Sequence, residues 1–216
     1  VPRNETLDIS GPAGRLEALL MFPERDCVAA GVVCHAHPLH GGIMHFKVVF
    51  RAAKALQDEG VAALRFNFRG VSRSEGVHDH GRGEQDDVRA ALDELERRFP
   101  GLPLLVGGFS FGAAMAAHVA AADARARALI ALGLPLSKMS DTGLLASIRV
   151  PRLFIQGEHD EFGPAERLRS LVEPAPAAQT FTTIPASDHF FSGHLDRLQQ
   201  EIATWIAQKP WREERT

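Results

Sequence analysis

The run Leu104-Leu105-Val106-Gly107-Gly108-Phe109-Ser110-Phe111-Gly112-Ala113-Ala114-Met115-Ala116-Ala117 constrains this chain more than any other stretch. A short apolar segment follows Pro103 and reads as a buried strand. An alanine-rich segment without Gly or Pro continues past Val119 and reads as a helix. Between them stands the pattern G-x-S-x-G, as Gly108-Phe109-Ser110-Phe111-Gly112. A strand that turns straight into a helix leaves little room at the corner. Side chains at positions 108 and 112 would collide there, so glycine fits. Ser110 is forced into a strained conformation with its hydroxyl lifted clear of the sheet. The small residues Ala113, Ala114, Ala116 and Ala117 let the helix pack close. Its free N–H groups then face any oxyanion formed beside Ser110.

The chain has 216 residues, 45% hydrophobic and 24% charged. That suits one globular domain over residues 1–208 with a substantial core, followed by a charged tail over 209–216, expected to be frayed. The net charge of -3 gives no footprint for nucleic acid or an anionic membrane. Val1-Pro2-Arg3-Asn4-Glu5 does not read as a signal peptide, and no apolar run reaches membrane-spanning length. Cys27 and Cys34 are the only cysteines. The expectation is a reduced cytoplasmic protein, a monomer or homodimer, with Cys34 an inert core residue.

Residues 7–9 and 16–22 read as a hairpin around Ser10-Gly11-Pro12-Ala13-Gly14. Residues 29–35 form a strand apolar enough to be buried on both faces. Phe46, Val49, Phe50, Ala53 and Leu56 recur at helical spacing, and Gly60 stops that helix. A strand over 61–68 is followed by a polar loop over 69–83. Val88, Ala91, Leu92, Leu95 and Phe99 mark a helix ended by Pro100-Gly101. After the serine turn come strands at 128–134, 150–156 and 178–184, with a helical turn at 143–147 and a helix at 164–172. A final helix carries Leu195, Leu198, Ile202, Trp205 and Ile206. Strands alternating with helices after a hairpin mean an α/β fold, a doubly wound and mostly parallel sheet.

Ligands of such sheets bind beyond the carboxyl ends of the strands. Those ends carry His35, His37 and His40; Arg69 and Ser72; Ser110; Glu158, Asp160 and Glu161; and Asp188 and His189. Serine needs a base within hydrogen-bond reach, and the base needs an acid to hold its tautomer. The order serine, carboxylate, histidine is met by Ser110, the carboxylates around Asp160, and His189.

With these residues in place the chain resembles the α/β-hydrolase superfamily over nearly its whole length. The resemblance is carried by the serine turn, by Gly157-Glu158-His159-Asp160 and by Ala186-Ser187-Asp188-His189-Phe190-Phe191. His35-Ala36-His37-Pro38-Leu39-His40-Gly41-Gly42 and Arg65-Phe66-Asn67-Phe68-Arg69-Gly70-Val71-Ser72-Arg73-Ser74-Glu75-Gly76 narrow it. They are similar to small bacterial hydrolases related to dienelactone hydrolases and short-chain esterases. The resemblance implies Ser110 as nucleophile, His189 as base and Asp160, rather than Glu158 or Glu161, as acid. Dienelactone hydrolases use cysteine, so serine here is a departure that favours ordinary ester chemistry.

An oxyanion hole needs two aimed donors. Phe111 follows the nucleophile and is one. The second is expected from the loop after residues 29–35, where Pro38 has no N–H. His37 is the first choice and Leu39 the second. Gly41 and Gly42 suit the sharp turn into the next helix, and the resemblance implies that His35 buttresses this loop. The spacing H-x-H-x-x-H of His35, His37 and His40 lacks an adjacent Asp ligand and no Cys partner follows it, so no metal site is expected. Arg69 and Ser72 are expected to brace loops, and Asp188 is given no chemistry.

Many members of the superfamily insert a lid after the sixth core strand. Residues 135–149 are too few for a cap domain, which implies an open site for short or varied acyl groups. The expectation is a serine hydrolase of small carboxylic esters, needing no cofactor and no nucleic-acid or membrane partner. A thioesterase, lactonase or peptidase would use the same residues, and a binding protein on this fold is the alternative from another class.

Overall fold

The computed structural model describes residues 3–173 and 178–212. Its strands are β1 (Asn4–Gly11), β2 (Gly14–Met21), β3 (Ala29–Cys34), β4 (Val61–Phe66), β5 (Leu104–Phe109), β6 (Ala126–Leu132), β7 (Arg152–Gly157) and β8 (Gln179–Ile184). Its α-helices are α1 (Lys47–Asp58), α2 (Arg82–Arg98), α3 (Phe111–Ala122), α4 (Ala165–Val172) and α5 (Leu195–Ala207). The eight strands form one sheet in the order β1-β2-β4-β3-β5-β6-β7-β8. β1 runs antiparallel to β2, and β2 to β4, while the remaining pairs are parallel. The expected hairpin and mostly parallel sheet are therefore both present.

The residue patterns explain the order. β3, β4, β5 and β7 are buried at every position, and all four are interior strands with helices over both faces. β1 alternates between exposed and covered residues and lies at an edge. α2, α3 and α4 cover the face that bears Val32, Val106, Leu129 and Phe154. α1 and α5 cover the other, which bears Val33, Leu105, Ile130 and Leu153. From β3 the chain moves through α1 to β4 on one side, while β5 lies on the other. The β3–β5 crevice is thus the switch point where such sheets bind ligands.

Between β6 and β7 lie only the short 3-10 turns Leu136–Lys138 and Gly143–Ser147, so no cap domain is inserted. Two expectations need correction. α2 begins at Arg82, well before its first apolar repeat, because the buried Glu84 carboxylate takes the N–H groups of Asp79 and Gly81, both at 2.8 Å. Nor is the charged tail frayed from its start. Pro210–Arg212 form a 3-10 turn, and Trp211 is buried in the core beside α5. The rest of that tail, 213–216, lies outside the described residues.

Candidate active site

Ser110 stands between the last residue of β5 and the first of α3, at φ 55° and ψ -120°. This is the strained corner expected from the sequence. A Cβ on Gly108 would stand 2.5 Å from the Gly112 carbonyl, and one on Gly112 would stand 2.5 Å from the Cys34 and His35 carbonyl oxygens. The second approach brings the start of α3 against the end of β3. The strain at Ser110 is held by its N–H, which donates to the Leu132 carbonyl at 2.9 Å.

His189 comes from the loop between β8 and α5. Its Nε2 lies 2.9 Å from Ser110 Oγ and its Nδ1 lies 2.8 Å from Asp160 Oδ2. A carboxylate only accepts, so Nδ1 carries the proton and the serine hydroxyl donates to Nε2. His189 and Asp160 are buried, and the imidazole is flanked by Phe109, Phe162 and Phe190 at centroid distances of 5.1, 4.7 and 5.2 Å. Asp160 Oδ1 accepts from the N–H groups of Phe162 and Gly163 at 2.9 and 3.1 Å. The rival carboxylates stand apart. Glu158 takes the Ala186 N–H at 2.7 Å, and Glu161 is exposed.

Sequence reasoning missed Gln156, at the end of β7. Its Nε2 donates to Asp160 Oδ2 at 2.8 Å and to the Gly163 carbonyl at 2.7 Å, and its Oε1 accepts from the Leu134 N–H at 3.0 Å. The one available signal was a lone amide at the end of an apolar strand, four residues before Asp160. His78 and His80 were missed too, inside the loop after β4.

The loop after β3 approaches the same serine. Among the described residues no acceptor takes the N–H of Phe111 or of His37. The Leu39 N–H, by contrast, donates to His37 Nδ1 at 3.2 Å. Gly41 adopts φ 79°, the turn expected there. The loop is clamped from β4 and its end: Arg65 donates to the Met44 carbonyl and the Met44 N–H donates to Asn67 Oδ1, both at 2.8 Å.

His35 turns inward. Its Nε2 accepts the Phe68 N–H at 3.0 Å, so Nδ1 holds the proton given to the Ala36 carbonyl at 2.7 Å. Burial pushes this imidazole down to about 4, which keeps it neutral. Arg69 braces its loop through a bidentate pair with buried Asp87, with contacts from 2.7 Å. Ser72 bonds to Glu17 nearby. Asp188 takes the Ser192 N–H at 2.9 Å and organises its own loop. Burial drives the Cys34 thiol far up, out of reactive range. Among the described residues no group of three or more His, Cys, Asp or Glu could hold a metal ion. None of their helices is long and apolar enough to cross a membrane.

Ser110, His189, His37 and Phe111 line a cavity of about 760 Å³. Another hollow, of about 430 Å³, is walled by Glu24, Arg25, Lys54, Gln57 and Asp58 and holds neither a serine nor a histidine.

A strained serine at a strand–helix corner, at the switch point of this eight-stranded sheet, defines the α/β-hydrolase class of fold. Residues 29–207 match the family described as an alpha/beta hydrolase domain. An alpha-beta serine hydrolase homologue from Coxiella burnetii is 36% identical, with a TM-score of 0.88 and coverage of 94% of this chain and 97% of that one. A serine hydrolase without lid from Xanthomonas campestris is 33% identical, with a TM-score of 0.86 and coverage of 96% and 95%. An uncharacterized protein of Rickettsia prowazekii is 33% identical over 205 residues, 91% of this chain and 86% of the relative. The chain belongs to the alpha/beta hydrolase domain family, among its lidless serine hydrolases.

Proposed function

We propose that the chain hydrolyses carboxylic esters of short or varied acyl chains through an acyl-enzyme on Ser110. The observation that carries this is the relay from Ser110 Oγ through His189 to Asp160, with contacts of 2.9 and 2.8 Å. His189 Nε2 takes the serine proton as Oγ attacks the acyl carbon. Asp160 stabilises the imidazolium and holds the tautomer. The N–H groups of Phe111 and His37 take the oxyanion. Leu39 gives up that role, because its N–H is already committed to the His37 ring. His189 then returns the proton to the leaving alkoxide, and water resolves the acyl-enzyme with His189 again as base.

The absence of an inserted cap favours small substrates and action without an oil–water interface. The intact relay argues against a binding protein that has lost catalysis. Both cysteines are free thiols, which supports a reducing, cytoplasmic location.

Turnover of a p-nitrophenyl ester series from acetate upward, by wild type and by Ser110→Ala, tests the reading. Activity strongest on short chains, and abolished by Ser110→Ala, is expected. A steep preference for emulsified long-chain triglycerides would overturn the open-site reading. Failure of a fluorophosphonate to label Ser110 would overturn the nucleophile.

A further inference from the structure

The cavity in front of Ser110 is lined unevenly in charge. No aspartate or glutamate is among the described residues that wall it, although the chain as a whole has a formal charge of -3. The wall carries instead Lys138, Arg82 and the rings of His37, His40, His78 and His80. The imidazoles are contiguous. Ring centroids lie 4.6 Å apart for His37 and His40, 4.9 Å for His37 and His78, and 5.2 Å for His78 and His80. They pack around Phe111, with His37 at 5.0 Å and His78 at 5.8 Å from its ring. Phe111 directly follows the serine, so this cluster borders the reacting centre.

The bonding pattern makes His37 a donor in this wall. The Leu39 N–H occupies His37 Nδ1, which leaves the ring proton on Nε2. His78 Nδ1 lies 2.8 Å from Glu84 Oε1, off the straight line of a hydrogen bond. Glu84 itself is fully buried and engaged by the Asp79 and Gly81 N–H groups, so its charge stays behind the wall. Arg82 is tied to Asp79 at 3.2 Å. Lys138 differs: among the described residues no carboxylate pairs with it, and its Nζ lies 5.9 Å from the ring centroid of Phe162, which flanks His189.

We propose that the site takes esters whose acyl or alcohol part carries a carboxylate, held by Lys138 and the His37 ring. This inference rests on the ester-hydrolase reading above. An anion there gains charge-assisted hydrogen bonds in a cavity whose described lining holds no aspartate or glutamate.

Two matched pairs of substrates test it. Monomethyl adipate against methyl hexanoate places the anion in the acyl part. Para-acetoxybenzoate against para-acetoxybenzamide places it in the alcohol part. In at least one pair the anionic member is expected to have the higher kcat/KM, by about tenfold, the worth of one charge-assisted hydrogen bond. Lys138→Met is expected to lower the anion's kcat/KM more than its neutral partner's, and added salt is expected to narrow the ratio. A ratio of one or less in both pairs overturns the anion site and leaves ester hydrolysis standing. If wild type cleaves none of the four, the ester reading falls separately. Calorimetric binding of adipate and para-hydroxybenzoate to the Ser110→Ala protein then decides the wall. Binding weakened by Lys138→Met supports the site; no binding, or binding indifferent to Lys138→Met, overturns it.

Discussion

Gln156 Nε2 donates at 2.8 Å to Asp160 Oδ2, the oxygen that His189 Nδ1 also reaches at 2.8 Å. The amide ties the carboxylate to the end of β7, so its direction is set by the sheet as well as by its own loop. Gln156→Leu leaves the Leu134 N–H without its acceptor and removes a donor from the Gly163 carbonyl. We expect urea unfolding to show a loss of about 2–4 kcal/mol, and kcat to fall about tenfold in protein still folded. Gln156→Glu separates positioning from mere packing. A second carboxylate beside Asp160 favours protonated species, so the acid limb of the kcat/KM profile should move to higher pH. An unmoved limb would leave Gln156 a packing residue.

Asp160→Asn keeps the shape of the site but offers a donor where His189 Nδ1 needs an acceptor. The imidazole then holds the wrong tautomer, and Nε2 cannot take the serine proton. Loss of about 10⁴-fold in kcat is expected, by analogy with the handling of such triads elsewhere. Glu158→Gln should stay within about twofold of wild type, since Glu158 bonds only a loop N–H. Equal losses in the two variants would remove Asp160 from the proposed role.

Gly112→Ala tests the corner itself. The added methyl would stand 2.5 Å from the carbonyl oxygens of both Cys34 and His35, and neither is a side chain that can rotate away. α3 must move off β3, carrying the Phe111 N–H with it. We expect destabilisation of at least about 3 kcal/mol by denaturant unfolding, with little activity in any folded remainder. A neutral change in stability would mean that the corner is looser than the packing here.

These cases show why some of the molecule was legible in the sequence and some was not. The serine corner was legible because its requirements are local: glycines, small residues and an apolar strand within a few positions. His189 and a carboxylate among Glu158, Asp160 and Glu161 were legible as candidates because each follows a strand, and strand ends meet at one edge of a parallel sheet; the choice of Asp160 came from the family resemblance. Gln156 was not, because its partners are buried loop groups that no periodicity announces. The start of α2 escaped because Arg82-Gly83-Glu84-Gln85-Asp86-Asp87 is a polar first turn, set by the capping carboxylate of Glu84 rather than by an apolar stripe. Trp211 was hidden among charged neighbours, and its burial depends on packing in the core beside α5. The histidine wall joins His37 and His40 from one loop to His78 and His80 from another, a contact made only by the fold.

His35 should make the protein sensitive to acid. Its Nε2 accepts the Phe68 N–H, and its Nδ1 supplies the Ala36 carbonyl, so a second proton would have to displace a backbone donor inside the core. Burial lowers its value from 6.5 to about 4 in the folded chain. Between these values the unfolded chain binds more protons than the folded one, so stability rises with pH across that window. The contribution is intact above the unfolded value, declines as pH falls below it, and stops declining under the folded value. Between pH 7 and pH 5 this single group should remove about 2 kcal/mol. Carboxylates add their own slopes, so the informative quantity is the difference between wild type and His35→Gln in urea unfolding at both pH values. His35→Gln is expected to be less stable at pH 7, since it loses the paired bonds to Phe68 and Ala36, and to lose less on acidification. Parallel pH slopes for the two proteins would mean that His35 binds its proton as readily in the folded chain as in the unfolded one.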